Sequence, residues 1–320
     1  MARYLFFRTS RSAYEQVTEL FDFVWSTNVS LWNLRWQVKG FADTQSVITE
    51  SVLNGRFVAG SGIRGANLSR ACLEMTWEEQ QSQFAKFLLF DLFAIIEGWL
   101  AKVLDDLGRP GLAKEFQFPT STKANGTLAG FGFGQAELRA TPSPLLTRSF
   151  YPGLRSHPKN SLNEIEKLLI AYRCFKECRN AVMHAGGIAQ TRTVSAYQAY
   201  LALTASDLRA KELPECPPVL AGNRVQLSLR GVVGFSDVIL RLIATLDAEF
   251  ACALHAEKEF RSQWLTYYAG ARSAKRYVLS TTNASRRDEQ IGKLVRKLGL
   301  PTPSDFPLIE SYLRAEGLVH

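Results

Sequence analysis

The sequence predicts a mainly α-helical protein. Three observations carry this. Apolar residues recur at three- and four-residue steps over long stretches. Two Ser/Thr-x-x-Glu capping boxes, Thr76–Glu79 and Ser161–Glu164, stand at the start of such stretches. Glycine and proline then end them, at Gly108-Arg109-Pro110 and at Gly186-Gly187.

Taken in order, residues 12–39 read as a helix or a kinked helix pair, with Val17, Phe21, Trp25, Trp32 and Trp36 close to one face. The tryptophans offer a base-stacking platform, but helical spacing among aliphatic neighbours reads as a core stripe. Residues 40–75 carry Gly55, Gly60, Gly62 and Gly65, which fits short strands or loops. Thr76 opens a helix expected to run to Leu107. It is apolar on nearly all sides over 87–96 and so expected at the centre of the fold.

Residues 108–160 are rich in Gly, Pro, Ser and Thr. Gly130-Phe131-Gly132-Phe133-Gly134 has no Gly-Lys-Ser/Thr after it, so it reads as a flexible loop with aromatic anchors, not a phosphate cradle. Ser161 starts the next helix, with Leu162, Ile165, Leu169, Tyr172, Phe175 and Val182 as its apolar face. Residues 193–206 suggest a further helix, whole or broken. Three prolines and the alternation Val225-Gln-Leu227-Ser-Leu229 make 213–233 a short β-hairpin. Phe235–Trp264 reads as one long helix. Ser285–Leu298 and Ser304–Glu316 read as a C-terminal helical hairpin, solvated unless the pair is a DNA-reading helix-turn-helix. Three regions follow: 1–75, mixed with N-terminal helices; 76–265, a helical domain holding the insert 108–160; and 270–320, a basic helical segment.

Composition bounds the function. With 320 residues, 46% of them hydrophobic, the chain can bury a sizeable core, which excludes wholesale disorder. Its 38 basic and 30 acidic residues give +8, a modest pull toward an anionic partner. Five cysteines without scaffold spacing exclude a disulfide-built module. The apolar run near Met1 is too short for a signal peptide, and Lys86, Asp91 and Glu97 interrupt the most apolar stretch. A cytoplasmic protein without a membrane span is expected.

The chemistry concentrates at Arg179-Asn180-Ala-Val-Met-His184, late in the helix that Ser161 opens. Asn180 and His184 are four apart and share a face, and Arg179 reaches the same terminus. A cation, an amide and an imidazole can bind a phosphate and move a proton without a metal. A lone histidine at a helix end has a structural reading too, since His⁺ complements the helix dipole. Cys174 and Cys178, with His184, offer three zinc ligands, but one helix supplies them all. They read as packing cysteines, and neither a metal nor a cofactor is expected.

Arg-Asn-x-x-x-His near the end of an amphipathic helix, with small residues after it, resembles the signature of HEPN domains over roughly residues 76–260. The resemblance implies an antiparallel helical bundle that pairs as a homodimer and cuts RNA without a metal. The 2′-hydroxyl would attack the adjacent phosphorus and leave a 2′,3′-cyclic phosphate. It casts His184 as general acid or base, Arg179 on the nonbridging oxygens, and Asn180 orienting one or the other. The motif helices of two protomers would meet in a composite site. Glu97 resembles a glutamate of an earlier helix in such bundles. It would pair with Arg179 or Arg173 behind the site, or else mark a solvent-facing strip.

The implied role is a toxin, stress or antiviral ribonuclease, open to control by a regulatory protein partner. The alternative is an inactive HEPN-like module that binds RNA or protein. A DNA-binding regulator acting through the C-terminal helices is a third reading. Residues 257–300 carry ten Lys or Arg against four Asp or Glu, or +6, and Lys293, Arg296 and Lys297 share a helix face fit for phosphates.

Overall fold

The computed structural model describes residues 4–269, 279 and 282–319. Residues 270–278, 280, 281 and 320 of the basic C-terminal segment lie outside them. The described residues are mainly α-helical.

α1 (Arg8–Ala42) is one unbroken helix of 35 residues. Its N-terminal part enters the main core through Ala13, Tyr14, Val17 and Val24, while Val38 joins a separate small cluster with Leu53, Leu68 and Cys72. Between these two attachments the described residues cover the helix only in part: Trp32 meets the Trp77 ring, with centroids 4.9 Å apart. Trp25, Trp32 and Trp36 are 49%, 40% and 55% exposed, so they do not form the expected core stripe. Helical spacing shows that they share a side; it does not show whether that side has a neighbour.

Residues 40–75 hold no strand. They form α2 (Glu50–Phe57) and a π-helical turn, Ser69–Glu74. The Glu50 carboxylate caps the start of that turn by accepting the N–H groups of Leu68 (2.7 Å) and Ser69 (3.0 Å). α3 (Trp77–Asp106) begins where its sequence says, with both bonds of the Thr76–Glu79 capping box in place. Its Leu88, Leu89, Leu92, Phe93 and Ile96 are buried, but Phe87 is 66% exposed and Asp91 also faces solvent. One strip of α3 is therefore open, and the helix is not the covered centre its composition suggests.

The 108–160 insert is structured. β1 (Ser121–Thr122) and β2 (Leu128–Ala129) make an antiparallel hairpin, followed by α4 (Phe131–Arg139), α5 (Pro144–Ser149) and α6 (Tyr151–Arg155). The glycine run lies in the first turns of α4, not in a flexible loop. A Cβ on Gly130 would lie 2.1 Å from the Pro119 carbonyl oxygen. The aromatic anchors are present: Phe131 meets Phe116, and Phe116 meets Phe250, at ring separations of 6.0 and 4.8 Å.

α7 (Ile165–His184) follows a 3₁₀ turn, Leu162–Glu164. The expected Ser161 capping box does not form, because the hydroxyl is engaged elsewhere. It donates to the Lys159 carbonyl (3.2 Å) and accepts from Arg241 Nη1 (3.3 Å). α8 (Thr191–Leu201) comes next.

Residues 213–228 do not fold into the expected hairpin. Val225 N–H donates to the Gly187 carbonyl at 2.8 Å, and Ile188 bridges Arg224, so this extended piece pairs with the chain after α7. Pro214, Pro217 and Pro218 leave the other half without the donors a hairpin ladder requires. Nor is 235–264 a single helix. α9 (Leu229–Phe250) and α10 (Ala256–Ala269) are separated by turns at 251–255. α11 (Ala284–Lys297) and α12 (Phe306–Ala315) complete the fold. They are not a free solvated hairpin: Ile291, Leu294, Val295, Ile309 and Leu313 belong to the main core.

α9 is the covered centre, touching α1, α3, α6 and α7. Its Asp247, with no exposure, accepts the N–H groups of Phe6 (2.6 Å) and Phe7 (3.0 Å). Ser10 also bonds the carboxylate and in turn accepts the Trp99 indole N–H at 2.9 Å. One carboxylate thus ties the N-terminus to α3 and α9.

Burial pushes Asp247 up to about 6, against the pull of Ser10, the two N–H groups and Arg11. The folded protein therefore holds a proton that the unfolded chain releases near 3.8, and stability falls as pH rises through that window. Asp247→Asn removes the titration and cannot accept both N–H groups, at a cost of about 1–3 kcal/mol. In denaturant unfolding, the advantage of wild type over Asp247→Asn is expected to shrink by up to ~3 kcal/mol between about pH 4 and about pH 7. A pH-independent advantage would contradict this assignment.

Candidate functional site

α7 is held by its apolar face. Phe175 stacks on Phe235 of α9 with centroids 4.3 Å apart and 13° between planes, and Tyr172 lies against Phe93 of α3 at 5.2 Å. Leu168, Leu169, Cys174 and Cys178 are buried with them. The remaining surface of the helix carries Arg173, Lys176, Arg179, Asn180 and His184. At its end the N–H groups of Ala185 and Gly187 both close on the Ala181 carbonyl, and Gly186 and Gly187 take positive φ, so the helix stops there.

Arg179 is turned toward α3. Its Nη1 donates to Asn180 Oδ1 at 3.1 Å, and its Nη2 lies 3.9 Å from Glu97 Oε2. Glu97 is thus a paired, half-buried carboxylate and not part of a solvent strip. Its nearer partner is Lys176, whose Nζ is 2.9 Å from Oε1. Lys176 also donates to Gln117 Oε1 and lies 5.8 Å from the centre of the Phe118 ring. The Tyr172 hydroxyl is buried beside this group, and burial first, then the Glu97 charge, holds its pKa well above the ordinary range.

Of the two partners expected for Glu97, Arg179 is the one it meets and Arg173 is not. Arg173 is exposed and lies over the Phe118 ring at 5.6 Å. At about 100° per residue it points roughly 120° away from Arg179 around α7. Lys176, between them at three-residue steps, takes the place expected for Arg173. That spacing was readable in the sequence; Gln117 and Phe118, which fix Lys176 from the insert, carried no such signal. The insert thus covers the basic side of α7. A cleft of ≈ 390 Å³ lies there, with Lys114, Phe118, Thr120 and Arg173 in its wall.

His184 is the last residue of α7 and is exposed, next to Met183 at 48% exposure. It follows Asn180 by one turn, about 40° round the helix, but is about 140° from Arg179. Within one chain the imidazole and the guanidinium therefore leave α7 in different directions. Lys293, Arg296 and Lys297 come together on the exposed face of α11, as their spacing predicts. Lys293 is partly neutralised there, with Glu289 at 2.6 Å.

All five cysteines are free. Cys174 and Cys178 are not alone on α7, since Cys216 faces them, and the three sulfurs lie within 4.8 Å of one another. His184 is not part of that group. Cys216 lies 42 and 38 positions further along the chain, on a proline-flanked segment, and no motif announces the contact. Among the described residues no helix is long and apolar enough to cross a membrane. No family model, curated protein or solved structure matches the chain.

Glu97→Ala would leave Lys176 and Arg179 half-buried without their carboxylate. A loss of about 1–2 kcal/mol in denaturant unfolding is expected. A loss no larger than that from breaking the exposed Lys102–Asp106 pair would show that Glu97 anchors nothing.

Proposed function

We propose that this chain is a metal-independent endoribonuclease of the HEPN kind, acting in the cytoplasm in a toxin, stress or antiviral role. One observation carries the reading. Arg179 is oriented by Asn180 and Glu97 at the end of a rigidly packed helix whose last residue is an exposed histidine. The reaction needs a cation at the phosphate and two proton-transfer groups. The ribose 2′-oxygen bonds to phosphorus and the P–O5′ bond breaks. One imidazole accepts the 2′-hydroxyl proton while a second protonates the departing O5′. Arg179 neutralises the nonbridging oxygens.

One His184 performs one proton transfer at a time. The divergence of Arg179 and His184 around α7 is met if two copies of the helix end face each other in a homodimer. The exposed Met183 beside His184 gives such a contact an apolar element. A regulatory protein partner would act by covering or parting this end.

A second reading has its own observation. The partly exposed Trp25, Trp32 and Trp36 on α1, with the Lys39 ammonium 5.9 Å from the Trp36 ring centre, suit base stacking or a protein contact. That would make the chain an RNA- or protein-binding module without catalysis.

Incubation with mixed RNA in buffer without added divalent metal separates the two. The nuclease yields fragments ending in 2′,3′-cyclic phosphate or its hydrolysed form. His184→Ala and Arg179→Ala, still folded by circular dichroism, are each expected to lower the rate by about 10²–10⁴-fold. Retention of uncut RNA supports the binding module, and undiminished cutting by folded His184→Ala removes the nuclease proposal. A preference for duplex DNA would favour the C-terminal helices as the reader.

Those helices give a separate expectation. Replacing Lys293, Arg296 and Lys297 with glutamine should weaken RNA binding for all sequences alike. The slope of log affinity against log salt should drop by roughly 1 for each phosphate no longer neutralised. Gel-shift titration at two salt concentrations reads this. An unchanged slope would mean that the face is solvated only.

A further inference from the structure

We infer that Cys174, Cys178 and Cys216 form a binding site for a thiophilic d¹⁰ metal ion, Zn²⁺ or Cu⁺. The argument starts from placement. Cys174 and Cys178 sit one turn apart on the buried face of α7, each with no exposure. Two such residues on one helix are ordinary core packing. The third sulfur comes from another part of the chain and completes a triangle whose sides are all within 4.8 Å. Zinc–sulfur bonds of ~2.3 Å place tetrahedral thiolates ~3.8 Å apart, so closing on an ion requires shifts of at most about 1 Å. Among the described residues no other Cys, His, Asp or Glu joins the group. Three thiolates with one position left over suit Cu⁺ in trigonal coordination, or Zn²⁺ with a water as fourth ligand.

The segment that presents Cys216 is built to hold still. It reads Pro214-Glu215-Cys216-Pro217-Pro218, with φ fixed at three of five positions. The Pro214 carbonyl accepts the buried Tyr200 hydroxyl, and the Glu215 carboxylate accepts from Ser228. The Glu215 carbonyl rests so closely on α9 that a Cβ at Gly231 would lie 1.7 Å from its oxygen. Ligands positioned by such packing bind without the ordering cost of a loose loop. Cys216 is half-buried while the two helix cysteines are fully buried, so an ion would enter from its side. Binding displaces the thiol protons to water and needs no oxidant.

Such an ion would fasten the 213–228 segment to α7 close to Arg179. It stands apart from the proposed chemistry, since neither Arg179 nor His184 ligates it. Full-length protein, stripped of metal under reducing conditions, is exposed to Zn²⁺ or Cu⁺ and gel-filtered. One ion per chain is expected by elemental analysis, and competition between the two identifies the preferred ion. Co²⁺ in its place should give an intense near-ultraviolet thiolate-to-metal band. Cys216→Ser, checked for an unchanged fold by circular dichroism, is expected to lower affinity at least about 100-fold. Cys252→Ser, with its sulfur elsewhere in the core, should bind as wild type does. The site is overturned if neither ion is retained, or if Cys216→Ser binds undiminished. A disulfide joining Cys216 to Cys174 or Cys178 in freshly purified protein would equally overturn it.

Discussion

The Glu97 carboxylate sets the direction of the basic groups on α7. It is half-buried on a helix whose neighbouring positions are apolar, so it requires cationic partners. Lys176 supplies the near contact, and Arg179 supplies the longer one while also binding Asn180. Without that carboxylate, Arg179 would keep its bond to Asn180 but lose the charge that draws it toward α3. The packing behind it makes the arrangement rigid. Phe175 against Phe235 and Tyr172 against Phe93 lock α7 onto α9 and α3, so the polar end of the helix cannot rotate to follow a ligand.

On these two proposals the same helix would serve two chemistries on different sides. Its polar terminus carries the groups proposed for RNA cleavage, which only a second copy would bring together. Its buried side brings two thiols to a third held by the segment before α9. That segment and the chain just after α7 are joined by the Gly187–Val225 and Ile188–Arg224 contacts. An ion on the three sulfurs would reinforce that junction from within and keep the end of α7 from fraying. The catalytic proposal and the metal proposal are thus separate in mechanism and adjacent in structure.

Local rules made much of this legible. Thr76 and Glu79 marked the start of α3, Gly186 and Gly187 marked the end of α7, and an acidic residue inside an apolar run pointed to Glu97 as a paired group. What stayed hidden depends on contacts between distant residues. Trp25, Trp32 and Trp36 have the spacing of a core stripe, yet among the described residues only Trp77 packs a ring on them from another element, and they stay largely exposed. Asp247 reads as one more charge on a long helix, but it receives N–H groups 241 and 240 residues away. Ser161 has a capping-box pattern, and Lys159 and Arg241 take its hydroxyl instead. Cys216 could not be joined to Cys174 and Cys178 without knowing that the proline-rich piece crosses α7. Arg173 departs from expectation for a simpler reason: adding helical rotation to the count of residues assigns its role to Lys176.

In the proposed dimer, two copies of the α7 terminus make one site, each lending an imidazole. This is tested most directly by activity in isolated mixed dimers of one wild-type and one His184→Ala subunit, tagged differently and purified in tandem. A composite site predicts that RNA cleavage falls to the level of the His184→Ala homodimer, because only one of the two proton transfers is left. Mixed dimers that keep about half of the wild-type rate would mean that each protomer works alone, and the composite site would be contradicted.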